Sequence, residues 1–396
     1  MTLRPEASPC TIGEVCDFES GNGFRPQDWK TKGLPIIRIQ NLNGSDSFNY
    51  FDGEPDPAWI VEPDDLLFAW AGVKGVSFGP TIWNGPTGVL NQHIYRIRPK
   101  EGINKRWLYY ALSEVTAEIE SKAHGFKTSL VHVRKADITR ARISLPDKHE
   151  QEAVASALGC WDTAIQKTEQ LIAAKERHYS HELSRLISRG QHPHGHVGTV
   201  AEEISARNRG GAWRTAALSD IATIWKGQQL NKDVMVEDGA YYALNGGIKP
   251  SGRTTEWNCE ADTITISEGG NSCGFVSYNR EPFWCGGHCY ALKKLAKDVD
   301  AHYLFHYLKG KQTRVMALRV GSGLPNIQKS DIEAFSVVLP DLATQAAIAR
   351  YLNALREEIS TLGVYVEKIK EQKRGLMQKL LTGQWRVKAS EVETVR

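Results

Sequence analysis

The 396-residue sequence has almost no excess of charge of one sign: 49 basic side chains against 46 acidic leave a formal net of +3. That balance excludes a chain that holds polyanions by bulk charge, so any basic face has to come from local clustering. Cysteine is sparse as well. The seven residues, an odd number scattered over the length, do not suit a disulfide framework and fit a reducing, cytoplasmic setting. No apolar run is long enough to span a bilayer. None follows Met1-Thr2-Leu3-Arg4-Pro5, so no signal peptide is expected. The phosphate loop Gly-x-x-x-x-Gly-Lys-Ser/Thr is missing, and so is the Asn/Asp-Pro-Pro-Tyr/Phe tetrapeptide of amino-methyltransferases. Gly21-Asn22-Gly23-Phe24 is too sparse for a dinucleotide loop and reads as a turn. No Ser-His-Asp or paired-carboxylate arrangement can be located from spacing. A non-catalytic chain without a cofactor of its own is the expectation.

What is present is an ordinary globular composition, 41% hydrophobic and 24% charged, over a length that suits two to four compact units. The chain repeats itself. Leu145-Pro146-Asp147 recurs as Leu339-Pro340-Asp341, a shift of 339 minus 145, or 194 residues. At that shift Lys135 meets Lys329, Asp137 meets Asp331, Ile138 meets Ile332, and Gln151 meets Gln345. Upstream, Ile12, Val15, Phe18 and Gly21 align with Leu218, Ile221, Ile224 and Gly227 at 218 minus 12, or 206. His93-Ile94-Tyr95 pairs with His288-Cys289-Tyr290. One module is therefore used twice, as a tandem duplication and not a solenoid.

Each module has two parts. The first is mixed α/β: Leu34 to Ile39, Asp65 to Trp70 and Ile94 to Arg98 read as strands, and a helix is expected over Trp107 to Lys122, matched by Ala301 to Leu318. The second part is a long helix. In the first copy the seam runs Val154, Leu158, Trp161, Ile165, Thr168, Ile172, Lys175, Tyr179, Glu182, Leu186. In the second it runs Ile348, Leu352, Leu355, Ile359, Leu362, Val366, Ile369, Lys373, Leu376, Leu380, with Lys373 the one polar break. Such a period implies a partner helix, and two matching stripes on one chain supply each other's partner. The expected fold is α+β: two tandem α/β domains, each followed by a long helix, with the helices paired as an antiparallel intramolecular coiled coil of pseudo-two-fold symmetry. The boundaries are 1–146, a helical spacer 147–189, a linker 190–212, 213–339, a second spacer 340–385 and a tail 386–396.

Two readers held apart by a rod suit two separated half-sites on a duplex; they suit equally a scaffold that holds two copies of a protein partner. Local residues lean toward DNA. Lys127, Thr128, Ser129, His132, Arg134 and Lys135 form a polar, basic stretch, and Arg319, Ser322, Asn326, Gln328 and Lys329 are its counterpart. Hydroxyls and cations suit phosphate, while Asn, Gln and Arg read base edges. Asn91, Gln92 and the stretch from Arg38 to Asn41 are further candidates. Cys285-Gly286-Gly287-His288-Cys289, with Cys259 and Cys273, has the look of a zinc site. However, Cys285 and Cys289 align with Leu90 and Ile94, so buried thiols and no metal are expected.

Three stretches carry a resemblance: Leu145-Pro146-x-x-x-Glu150-Gln151, Leu339-Pro340 with Gln345, and Ile369-x-x-x-Lys373-x-x-Leu376-Met377-Gln378-x-Leu380-Leu381-Thr382-Gly383. With them the sequence resembles the specificity (S) subunit of Type I restriction-modification systems over essentially its whole length. One departure is Thr344-Gln345, where Glu-Gln is the pattern. The resemblance implies two target recognition domains that read a split DNA sequence, and helices that dock two modification (methyltransferase) subunits. Adenosylmethionine, ATP and Mg would bind to partner subunits, among them the restriction subunits. A recognition subunit of a Type II split-site enzyme and a scaffold that does not bind DNA are the alternatives.

Overall fold

A computed structural model describes residues 8–122, 130–187, 213–321 and 323–387. The expected linker, the expected tail beyond 387, and Lys127, Thr128, Ser129 and Ser322 lie outside the described residues. By contact the chain divides into two units, 1–167 with 365–396, and 168–364. Among the described residues no helix is long and apolar enough to cross a membrane.

In the first unit an antiparallel sheet runs in the order Cys16–Ser20, Ile94–Pro99, Leu66–Ala69, Gly79–Ile82. The central strand Leu66–Ala69 is a continuous apolar run, buried throughout, because both its faces are covered. Phe68 and Ile97 face a core with Trp107, Leu108 and Leu112 of the helix Lys105–Lys122. Leu67, Ala69 and Ile94 face a second core with Ile37 and Leu90. That second core belongs to a smaller sheet in which Leu34–Ile37 runs parallel to Gly88–Leu90. The strand expected over Leu34 to Ile39 ends at Ile37. The Asn41 side chain accepts from the Arg38 amide at 3.0 Å and starts a short helix, Ile39–Leu42, in its place.

The second unit repeats this order strand for strand: Thr223–Lys226, Cys289–Lys293, Thr263–Ser267, Val276–Asn279, with Tyr241–Leu244 parallel to Phe283–Cys285. Cys285 pairs in register with Leu244 and Cys289 with Ser267, as Leu90 pairs with Ile37 and Ile94 with Ala69. Both thiols are buried, at 0% and 1% exposure, in the positions of the aliphatic pair. One expectation needs correction. The helix read over Ala301 to Leu318 breaks after Gly310 into Ala301–Gly310 and Gln312–Met316. A Cβ at Gly310 would collide with Ile187, and Gln312 turns its side chain to accept from the Val276 amide at 3.1 Å. The break places Gln312 against the sheet edge.

The two long helices, Lys148–Ile187 and Leu342–Leu381, have 40 residues each, about 60 Å of rise. Their starts are built alike. Asp147 accepts from the Glu150 amide at 2.9 Å and Asp341 from the Thr344 amide at 3.0 Å, each satisfying a first-turn donor. Gln151 donates to the Pro146 carbonyl at 3.0 Å and accepts from the Asn104 amide at 2.8 Å. Gln345 does the same with Pro340 (2.8 Å) and the Asp300 amide (2.9 Å). This buried amide clamps the Leu-Pro strand end, the helix start and the domain helix together. Thr344 adds a hydroxyl bond to Asp341 at 2.7 Å, so its replacement of Glu keeps the cap.

Each unit contains one half of each long helix, and within a unit the halves run antiparallel. In the first, Val154 and Leu158 share a core with Leu376, Leu380 and Leu381, and Lys373 Nζ reaches Asp162 at 2.5 Å. In the second, Leu183 and Leu186 share a core with Ile348, Leu352 and Leu355, and Lys175 pairs with Glu358 at 2.7 Å. Val366 and Ile369 are buried, while Trp161, Ile165, Ile172, Ile359 and Leu362 are half-buried. The polar break at Lys373 is filled. Asp162 also accepts from Tyr110 Oη at 2.6 Å, and Lys373 sits 5.1 Å over the Tyr110 ring. At the counterparts of Lys373 and Tyr110 the other unit has Tyr179 and His306: Tyr179 Oη bonds His306 Nδ1 at 3.0 Å, and His306 Nε2 bonds Asn353 Oδ1 at 2.9 Å. Burial pushes the His306 pKa down to about 4.

Candidate nucleic-acid interface

At one end of the first domain's main sheet, the inner strand Leu66–Ala69 runs out into Trp70. Its amide donates to the His93 carbonyl at 3.2 Å, and its carbonyl accepts from the Val133 amide at 3.1 Å. The half-buried indole becomes a hub. Its Nε1 donates to the Gln92 carbonyl at 3.0 Å, and its ring lies 4.7 Å from His132, 5.3 Å from His93 and 6.1 Å from Tyr95. Lys135 reaches in from the short helix Lys135–Thr139. Its Nζ donates to the Phe18 carbonyl at 3.0 Å and sits over the Phe18 and Tyr95 rings.

Two sequence candidates, Gln92 and His132, thus touch Trp70, and two more, Lys135 and Asn91, reach its neighbours Tyr95 and His93. Gln92, His132 and Lys135 are exposed around it, and Asn91 holds the loop by accepting from the His93 amide at 3.4 Å. Arg134 is exposed but turned to Asp137 at 3.2 Å, away from the hub. Arg38 and Asn41 do other work. Asn41 is buried and donates to the carbonyls of Ser45 and Ser47, and Arg38 bonds Asn49 at 2.7 Å. The shielded Nδ1 of His93 has no hydrogen-bond partner among the described residues.

The second domain has Glu268 at the same backbone position. Its amide donates to the His288 carbonyl and its carbonyl accepts from the Ile327 amide, both at 2.9 Å. The side chain is opposite in chemistry. The carboxylate, 5% exposed, accepts from Lys226 Nζ at 2.6 Å and from Tyr290 Oη at 3.0 Å, with His288 Nδ1 at 3.6 Å. Burial, then the bond to Glu268, pushes the Tyr290 phenol up, so it stays a donor at neutral pH. Lys226 faces Tyr290 across the ladder as Ser20 faces Tyr95.

Of the candidates in this domain, Asn326 bridges to Gly269 and Val320 beside Glu268, and its shielded Oδ1 has no hydrogen-bond partner among the described residues. Arg319, Gln328 and Lys329 are exposed, Lys329 lying 3.4 Å from Glu333. Among the described residues no cluster of three or more His, Cys, Asp or Glu is arranged to hold a metal ion. Sequence reasoning missed Trp70, Lys226 and Glu268. For Lys226 the signal available was its place in the 206-residue register, opposite Ser20 and next to the matching Gly21 and Gly227.

Both ends therefore offer the same backbone geometry with different side chains: aromatic rings and imidazoles in one, a carboxylate with cations in the other. Such an end can present donors and an apolar face to a groove without performing any covalent step.

The family described as Type I restriction modification DNA specificity domain matches the chain twice, at residues 6–176 and 211–367. A Mycoplasma pneumoniae protein named as a type I specificity subunit is 30% identical over 177 residues, 44% of this chain and 47% of that one. A Mycoplasma genitalium counterpart is 31% identical over 157 residues, 39% and 41% respectively. The matches thus span less than half the length of these two relatives. The MjaVIII specificity subunit of Methanocaldococcus jannaschii is 22% identical over 83% of this chain and 81% of its own. Among solved structures, the S subunit of a Type I restriction-modification system from M. genitalium superposes over 96% of this chain and 98% of its own, with a TM-score of 0.63 at 18% identity. That likeness is one of fold.

Proposed function

The chain belongs to the Type I restriction-modification DNA specificity family, and from that premise we propose that it is the non-catalytic subunit that reads a split sequence in double-stranded DNA. One observation carries the reading: two sheets of identical strand order present ends at the same backbone position, with unlike side chains on them. Identical scaffolds with unlike ends suit two half-sites of different sequence, because positioning contacts are shared while base contacts must differ. The long helices offer surfaces for two modification subunits. Those partners bind adenosylmethionine and methylate adenine after flipping it from the duplex. Restriction subunits add ATP- and Mg-dependent chemistry. The chain itself holds no cofactor.

The test is selection from a pool of random duplexes by the chain purified together with its modification subunit. Two short conserved elements separated by a fixed gap are expected. A stable complex that enriches no sequence would mean a protein scaffold and would sink the proposal.

A further inference from the structure

Two fold positions differ between the domains as a pair. Ser20 and Trp70 occupy them in the first; Lys226 and Glu268 occupy them in the second. The joint change has a physical reason. A carboxylate 5% exposed is costly to bury alone, and Lys226 is its nearest cation, at 2.6 Å. Lys226 is not itself buried: its side chain is 52% exposed. An ammonium has three donors, and Glu268 takes one. The others stay available at the sheet edge, in an orientation fixed from below.

Resting on the proposed DNA reading, we propose that Lys226, positioned by Glu268, is the base-reading residue of the second domain, and that it reads a guanine edge in the half-site bound there. Charge decides between base and phosphate. The pair is neutral as a whole, so a phosphate approaching Lys226 also meets the nearby Glu268 carboxylate and gains little. Guanine O6 and N7 are uncharged acceptors that want directed donors, and Lys is one of their common partners. Arg319 and Gln328, exposed nearby, suit the phosphates. The first domain has no directed cation at the matching strand position. Its lysine, Lys135, comes from a different element and rests on a carbonyl and two rings.

The experiment reads adenine methylation genome-wide in cells that carry the chain with its modification subunit, comparing wild type, Lys226→Arg, and the double variant Lys226→Met/Glu268→Gln. The double variant removes both charges together and so leaves no orphaned carboxylate. Exchange of residues 213–338 identifies which half belongs to the second domain. The double variant is expected to lose roughly 10- to 100-fold discrimination at one G·C pair of that half, with the other half read as in wild type. Lys226→Arg, which also donates to guanine, is expected to keep it. Unchanged discrimination in the double variant, or a loss spread over both halves, overturns the assignment. A wild-type chain that directs no split motif overturns the functional reading beneath it.

Discussion

Gly21 and Gly227 occupy equivalent turns at the reading ends, and the duplication already pairs them. In each domain a Cβ would run into backbone carbonyls: those of Leu90 and Asn91 in the first, those of Cys285 and Gly286 in the second. Neither neighbour can swing aside, since both are held in the small sheet. Gly227→Ala is therefore expected to destabilise the second domain by about 1–3 kcal/mol, measured by chemical denaturation. His306 makes a second prediction at this scale. Its pKa of about 4 in the fold lies below the ordinary histidine range near 6.5, because burial disfavours the charged ring. The unfolded chain then takes up a proton first as pH falls. Stability that is fully present above about pH 6.5 declines by about 1.4 kcal/mol per pH unit toward pH 4. His306→Gln is expected to flatten that slope in denaturation curves taken across the range. At this scale the sequence was only partly readable. His132, Gln92 and Lys135 were visible as polar candidates. Trp70 and Glu268 were not, because they align only at 268 minus 70, or 198, across loop gaps that hide their equivalence. Asn41 looked like a base reader and is a loop strut, a distinction that depends on Ser45 and Ser47 folding back to it.

The long helices were the most legible elements, because a seam repeated over ten positions in both copies leaves little freedom. Their starts were legible too: Asp147 and Asp341 sit one residue before the first turn and cap it. The helix over Ala301 to Leu318 misled because its apolar spacing continues through Gly310, while the packing of Ile187 against that glycine is a tertiary fact. The polar positions in the seam carry specificity of pairing. Lys373 is 17% exposed against Asp162 at 43%, whereas the other unit meets with Tyr179, His306 and Asn353. Helix halves exchanged between these nodes would set Asp162 against Tyr179 and lose the lysine. A double-mutant cycle on Asp162→Ala and Lys373→Met is expected to give a coupling of about 1 kcal/mol. Asp162→Ala alone should cost more than Lys373→Met alone, since it strands a mostly buried ammonium. Equal and additive losses would mean the node is merely a solvated pair. The Lys175–Glu358 pair, 31% and 46% exposed, should couple by less.

For the molecule as a whole, the proposed activity is recognition, and it rests on the family match over both halves of the chain. On that reading, duplication explains how one chain could recognise two half-sites. The shared strand order keeps the scaffold constant, and the end positions are free to diverge without disturbing the core, as the Ser20/Trp70 and Lys226/Glu268 exchange illustrates. Modularity follows from that division. The most direct measurement is the methylation motif of cells in which residues 213–338 have been replaced by the matching segment of another family member. One half of the split motif should change, and the other half should stay as it was. A motif altered in both halves, or in neither, would contradict two independent readers on one duplicated scaffold.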